Sequence, residues 1–324
     1  MTYTSTGLIQ AADYNGFANT TVGGNVNATW ATGVTSAGYG QTALTEVSAL
    51  GTVSAINWST LVNNISAMAA HQGTTITART APTANTVIQV LAAVSTDITN
   101  CYNNRGNAVA NGTQFTGYTG TNSKTTQTGT SGGGAWTITF TNTVTFASAD
   151  AARYFFNAGG RIKIDVAKSS TGLTGDPEWN DLATTLCGDI FITGGAYSQT
   201  IAGTVYTGTT KVGGTGTPNT LATTTGWYDL TAGAAATIVY KQFADTAPYT
   251  ANFIQHSIAK GAASTTLVIT TLWSASDGDP ITGGTAASGA TPGTAPCTIV
   301  TYFPPSTNNL SASWGTPTVA ATTV

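Results

Sequence analysis

Residues 148–166 read SADAARYFFNAGGRIKIDV. The stretch passes from helix to strand. Ser148 is placed to cap a helix, and Asp150 sits in the first turn, where a carboxylate complements the helix dipole. Arg153, Tyr154, Phe155 and Phe156 form a short aromatic turn. Asn157, Ala158, Gly159 and Gly160 stop it, because glycine readily takes the left-handed conformation that a helix end needs. Ile162, Ile164 and Val166 then alternate with Arg161, Lys163 and Asp165, the period of a strand with one buried face. No side-chain set here is catalytic. Tyr154, Phe155 and Phe156 read as rings that plug one end of a β core. Gly159 and Gly160 read as the backbone's route back into the sheet.

Upstream, Trp136, Ile138 and Phe140 alternate with Thr137 and Thr139, and Val144 and Phe146 continue the pattern. Downstream, strands are expected at 189–193, 204–209, 226–230, 237–243, 251–259, 265–273 and 297–303, separated by turn-rich segments. A short helix is expected at 177–186 (PEWNDLATTL), with Pro177 in its first turn. The N-terminal third is different. A short helical pattern surrounds Tyr14 and Phe17, and a short strand is expected at 46–50. Ser54 is placed to cap a helix on which Trp58, Leu61, Ile65 and Met68 form one apolar stripe. Trp58 is its structural anchor. A second helix is expected over 85–104, with Val87, Val90, Leu91, Val94, Ile98 and Tyr102 on one face. The predicted fold class is mainly β, α+β by strict count. A small N-terminal helical unit precedes an antiparallel β-sandwich-like domain with two short inserted helices. The expected divisions are a helical attachment or oligomerisation region at 1–105, a Gly/Ser/Thr-rich linker at 106–134, a β domain at 135–303 and an extended C-terminal arm or final edge strand at 304–324, anchored by Trp314.

Charged residues are 7 % of the chain and the net charge is −3, against about a quarter charged in ordinary domains. Thr makes up about a fifth of the chain. Its branched carbon suits strands and its hydroxyl tolerates water. A surface this neutral has little electrostatic protection against association, so self-assembly is expected. The basic residues form no patch, which argues against nucleic acid as a partner. No window of about 18 apolar residues exists, so membrane insertion is not expected. The N-terminus carries no signal-peptide pattern. Cys101, Cys187 and Cys297 lie far apart and read as reduced and structural.

The candidate sites are sparse. His71 reads as a helix-end or surface residue, and His256 lies in a strand pattern. Neither stands near a nucleophile motif. Asp176 and Glu178 flank Pro177; they suit either a helix N-terminus or the acid/base pair of a glycan-cleaving enzyme. Asp277-Gly278-Asp279 resembles part of a calcium loop without its remaining ligands, and reads as a turn. Gly132 to Gly134 lack the ending of a phosphate loop. Trp227, Tyr228 and Trp273 are candidates for stacking on carbohydrate or for a subunit contact, with core packing as the competing reading. The Asn-x-Ser/Thr triplets at Asn19, Asn27 and Asn111 are expected by chance in so Thr-rich a chain. No metal ligands and no cofactor are expected.

Several short stretches together resemble structural proteins in virions of tailed bacteriophages, especially those infecting cyanobacteria. They are Ala12-Asp13-Tyr14-Asn15, Gly38-Tyr39-Gly40-Gln41, Trp58 with Leu61 and Ile65, His71-Gln72, the run from Ser148 to Gly160, and Gly226-Trp227-Tyr228-Asp229-Leu230. The resemblance departs after Val22, where residues 23–35 look expanded and Thr-rich. It implies a non-enzymatic virion component, a tail fibre, baseplate or other appendage, assembled in the host cytoplasm. Its implied partners are copies of itself, other virion proteins and a host-surface glycan. It supplies no catalytic residue. The alternatives are a capsid decoration or fibre protein, a polysaccharide-degrading enzyme using Asp176 and Glu178, and a self-assembling extracellular filament subunit.

Overall fold

The computed structural model describes residues 10–19, 25–32, 37–83, 91–109, 118–123, 128–129, 135–168, 176–275 and 296–323. The N-terminal helices are α1 (Ala11–Ala18), α2 (Val26–Thr29), α3 (Ala55–Gln72) and α4 (Leu91–Asn103). Ser54 caps α3 by accepting from the Asn57 N–H, while Asn57 Oδ1 accepts the Ser54 N–H at 2.9 Å. Gly73, at φ +71°, ends it. Trp58, Leu61, Ile65 and Met68 are all buried, as a stripe spaced three, four and three requires. Val94 and Ile98 of α4 are buried too; Val87 and Val90 lie outside the described residues. The strand expected at 46–50 is instead a turn, closed by the Gly51 N–H on the Ser48 carbonyl at 2.8 Å. Leu50 stands at φ +64° there, a conformation that cannot continue a pleated strand.

The rest of the chain alternates strands with short helices. In order come β1 (Tyr118–Ser123), β2 (Thr128–Gly129), β3 (Trp136–Thr145), α5 (Ala149–Asn157), β4 (Arg161–Ala167) and α6 (Asp176–Asp181). A π-helical turn, Leu182–Cys187, continues α6. Then follow β5 (Asp189–Ile192), β6 (Gln199–Ile201), β7 (Thr204–Tyr206), β8 (Thr209–Val212), β9 (Thr220–Leu221), β10 (Thr237–Phe243), β11 (Phe253–Lys260), β12 (Thr266–Ala275), β13 (Cys297–Phe303) and β14 (Thr318–Thr323). Helix takes 27 % and strand 29 %, so the fold is β-rich and α+β by count. One sheet runs β1-β13-β4-β5-β8 and the other β14-β3-β12-β11-β10-β9, with β2 also on β3. Each pair within them is antiparallel.

Register aligns the apolar positions into rows. Tyr302, Ile162 and Ile192 lie side by side across β13, β4 and β5. Ile138, Trp273 and Ile254 do the same across β3, β12 and β11. These rows belong to one hydrophobic core, which also takes in Tyr14, Trp58, Ile65, Val94 and Ile98 from the helices. The N-terminal helices are thus packed into the core of the sheets. The remaining hairpin, β6-β7, lies over the outer face of the smaller sheet. There Ala108, Phe191, Ile201 and Tyr206 form a second, smaller cluster. The Arg161 guanidinium sits among the rings of Phe303, Tyr206 and Phe191, at 4.9, 5.3 and 5.6 Å from their centroids.

Three further expectations are revised and one is resolved. Residues 106–134 are not simply a linker, since they supply β1 and β2. The run 204–209 is divided between β7 and β8 by Gly208, at φ +51°. The strand expected at 226–230 is a 3-10 turn, Trp227–Asp229, because Asp229 Oδ2 bends back to accept the Gly226 N–H at 2.9 Å. The C-terminal stretch ends as an edge strand, β14, paired to β3, the second of its two expected forms, and Trp314 is buried.

Candidate functional site

Four of the short stretches singled out in the sequence, 38–41, 71–72, 148–160 and 226–230, meet around α5. Ser148 caps it by accepting from the Ala151 N–H at 3.0 Å. Phe155 and Phe156 are fully buried and Tyr154 nearly so. Phe156 stacks on Trp227 at 5.4 Å, and Phe155 meets Tyr302 edge-on at 6.3 Å. Tyr228 donates to Asn157 Oδ1 at 2.8 Å and lies 3.1 Å from the Arg153 carbonyl. Asn157 Nδ2 donates to the Gly38 carbonyl at 2.8 Å. Tyr39 donates to the Arg105 carbonyl at 2.6 Å and accepts from Gln72 Nε2 at 2.7 Å. Gln41 exchanges two bonds with the Ser311 backbone, at 2.7 and 3.0 Å. Every one of these groups is spent on holding the fold.

This arrangement decides several candidates. Trp227 is 3 % exposed and Trp273 is 0 % exposed; stacking on a sugar needs an open ring face, so both are core residues. Trp273 packs on Trp179 of α6, with centroids 5.6 Å apart. Tyr228 is half-buried, and its hydroxyl is committed to α5. His71 is not a surface residue. It is 1 % exposed, and its Nε2 donates to the Ala158 carbonyl at 3.0 Å, tying α3 to the end of α5. His256 is equally buried, stacked on Tyr240 and 3.0 Å from the Thr271 hydroxyl. Burial pushes His71 down to about 4 and His256 down to about 3. Neither is placed to serve a nucleophile. Burial pushes the Cys101 and Cys187 thiols up to about 12 and raises that of Cys297; all three cysteines are free and buried. Asn27 is buried and exchanges bonds with the Leu44 backbone at 2.8 and 2.9 Å. Asp277, Gly278 and Asp279, Gly132 to Gly134, Asn111 and the side chain of Asp176 lie outside the described residues.

The arrangement with free ligand capacity lies at the other end of the sheets. A cleft of about 570 Å³ opens between the π turn, the β8–β9 loop and the end of β10. Leu186, Thr215, Gly216, Asn219, Gln242 and Asp245 line it. The π winding leaves carbonyls without helical partners, and the loop supplies them: Thr215 N–H bonds Thr185 O at 2.8 Å and Gly216 N–H bonds Leu186 O at 3.1 Å. Gly216 lies flat on the Gln242 carboxamide, which any Cβ there would meet at 2.8 Å. Gln242 is 4 % exposed, and its Oε1 has no partner among the described residues.

Beside this cleft three carboxylates converge. Glu178, Asp181 and Asp245 each offer an oxygen, all within 4.8 Å of one another. Glu178 and Asp181 share one face of α6, three residues apart. Asp245 arrives from the β10–β11 connection and accepts from the Thr246 hydroxyl at 3.1 Å. Burial raises the Glu178 pKa; a hydrogen bond from Thr246 opposes this, and the charges of Asp181 and Asp245 raise it further. Of the two acids weighed together in the sequence, Glu178 is brought together with Asp181 and Asp245, while the Asp176 side chain lies outside the described residues. Sequence spacing gave no sign of Asp245, which is 64 positions beyond Asp181. Comparison with protein-family models, with curated proteins and with solved structures returns no match to this chain.

Proposed function

We propose that the protein is a non-enzymatic structural component of a tailed-bacteriophage virion, built into a tail fibre, baseplate or similar appendage. The observation that carries this reading is the outward face of the larger sheet. Thr139, Thr141 and Thr143 of β3 stand beside Leu272, Thr270 and Val268 of β12, half-exposed and uncharged. Such a face suits burial against further copies or other virion proteins, where a charged face would pay a desolvation cost. The commitment of both described histidines and all three cysteines to the interior supports a scaffold rather than a catalyst. Four of the six short stretches that resemble virion proteins build the packing around α5, as expected of a family held together by its fold.

The test is location and copy number in purified particles, by quantitative mass spectrometry with immunolabelling. A few dozen copies or fewer on the tail is the expected result. Hundreds per particle would move the assignment to a capsid decoration protein. Absence from particles would overturn it, as would glycan cleavage by the purified protein that Glu178→Gln abolishes.

A further inference from the structure

We propose that Glu178, Asp181 and Asp245 form a binding site for one divalent cation of the calcium class, which staples α6 to the β10–β11 connection. Three negative charges converge, and among the described residues none of the three takes part in an ion pair. The second observation is independent of the count of acids. Glu178 is 9 % exposed, yet its Oε1 has no hydrogen-bond partner among the described residues. A buried carboxylate oxygen left without a donor is costly, and a cation relieves that cost.

Calcium binds oxygens at 2.3–2.6 Å, so two ligands of one ion lie at most roughly 4.6–5.2 Å apart. The three carboxylates meet that limit, with one oxygen of each within 4.8 Å of the others. Calcium also accepts irregular sets of carboxylates, carbonyls and waters. Access is open, because Asp245 is exposed and Asp181 half-exposed. The site rests on neither the virion reading nor any enzymatic one.

The experiment uses the full chain stripped with a chelator and then dialysed. Calcium titration by calorimetry should show one ion per chain, and the unfolding midpoint should rise with calcium concentration, as for any ligand that binds only the folded state. Magnesium at equal concentration should shift it less. Asp245→Asn, at an exposed position where folding is not at risk, should weaken calcium binding by at least about tenfold, since one of three charged ligands is lost. No binding heat and no midpoint shift at millimolar calcium would overturn the proposal. Unchanged affinity in both Asp181→Asn and Asp245→Asn would place any bound ion elsewhere and overturn it too. An equal response to magnesium would overturn the assignment to calcium.

Discussion

At the scale of single residues, the two histidines give the clearest consequence. Both are neutral when folded, because burial disfavours the imidazolium. Their folded pKa values, about 4 for His71 and about 3 for His256, lie below the ordinary value near 6.5. The unfolded chain therefore binds more protons over that interval, so stability falls as pH drops below about 6.5. Between pH 7 and pH 5 each histidine should remove about 2 kcal/mol. Urea unfolding at the two pH values checks this, and replacing His256 by Gln should reduce the loss by about half. A stability independent of pH over this range would contradict the burial of both rings. Sequence showed these histidines only as isolated residues without a motif. The Ala158 carbonyl that claims His71 is 87 positions away, so nothing local marked it as interior.

At the scale of elements, the junction of α5 and β4 was legible because its signals are local. A cap, an aromatic turn, a glycine stop and an alternating strand all fall within nineteen residues. Gly159 stands at φ +88°, and a Cβ there would meet the Ala108 Cβ at 2.7 Å. The next residue, Gly160, is as tight against the Phe155 carbonyl, at 2.6 Å. Gly159→Val should then cost at least about 2 kcal/mol, from a β-branched residue at positive φ and a clash at the contact of Ala108 with α5. Thermal or urea unfolding measures it, and an unchanged midpoint would refute the account. The elements that sequence misassigned are those whose conformation is set by a distant or polar partner. The turn at Trp227–Asp229 has the apolar look of a strand, but the Asp229 carboxylate curls it. β1 and β2 lie in a stretch whose composition is that of a loop; their pairing to β13 and β3 is what makes them strands. The carboxylate cluster is likewise a product of tertiary approach, with only its α6 pair readable from spacing.

At the scale of the whole molecule, the expected separation into a helical region and a β domain gives way to a shared interior. Trp58 of α3 contacts Tyr14 and Phe17 of α1 edge-on, at 5.8 and 6.0 Å, and all three belong to the core that holds Ile138 and Val300. Unfolding should therefore appear as a single cooperative transition, with tryptophan fluorescence and far-ultraviolet circular dichroism changing together. Two resolved transitions would restore the two-domain reading. The low charge, neutral sheet face and mixed α+β architecture were all visible in composition and periodicity. The way the ends of the chain meet was not.

That meeting has a consequence for how the protein is made. Gln41 bonds Ser311 across 270 positions, and β13 inserts between β1 and β4, both far upstream. Closing a loop of that length costs about 5 kcal/mol of chain entropy before any contact compensates it. A nascent chain still attached to the ribosome holds β4 with one side unpaired until residues 297–303 emerge. Chains released early, by premature termination or proteolysis before that point, would present the bare edge of β4, with its row of Ile162, Ile164 and Val166, to any neighbour. Synthesis thus carries a window of stickiness that closes only once residues 297–303 emerge, and expression yield should depend more on the integrity of β13 than on the N-terminal helices.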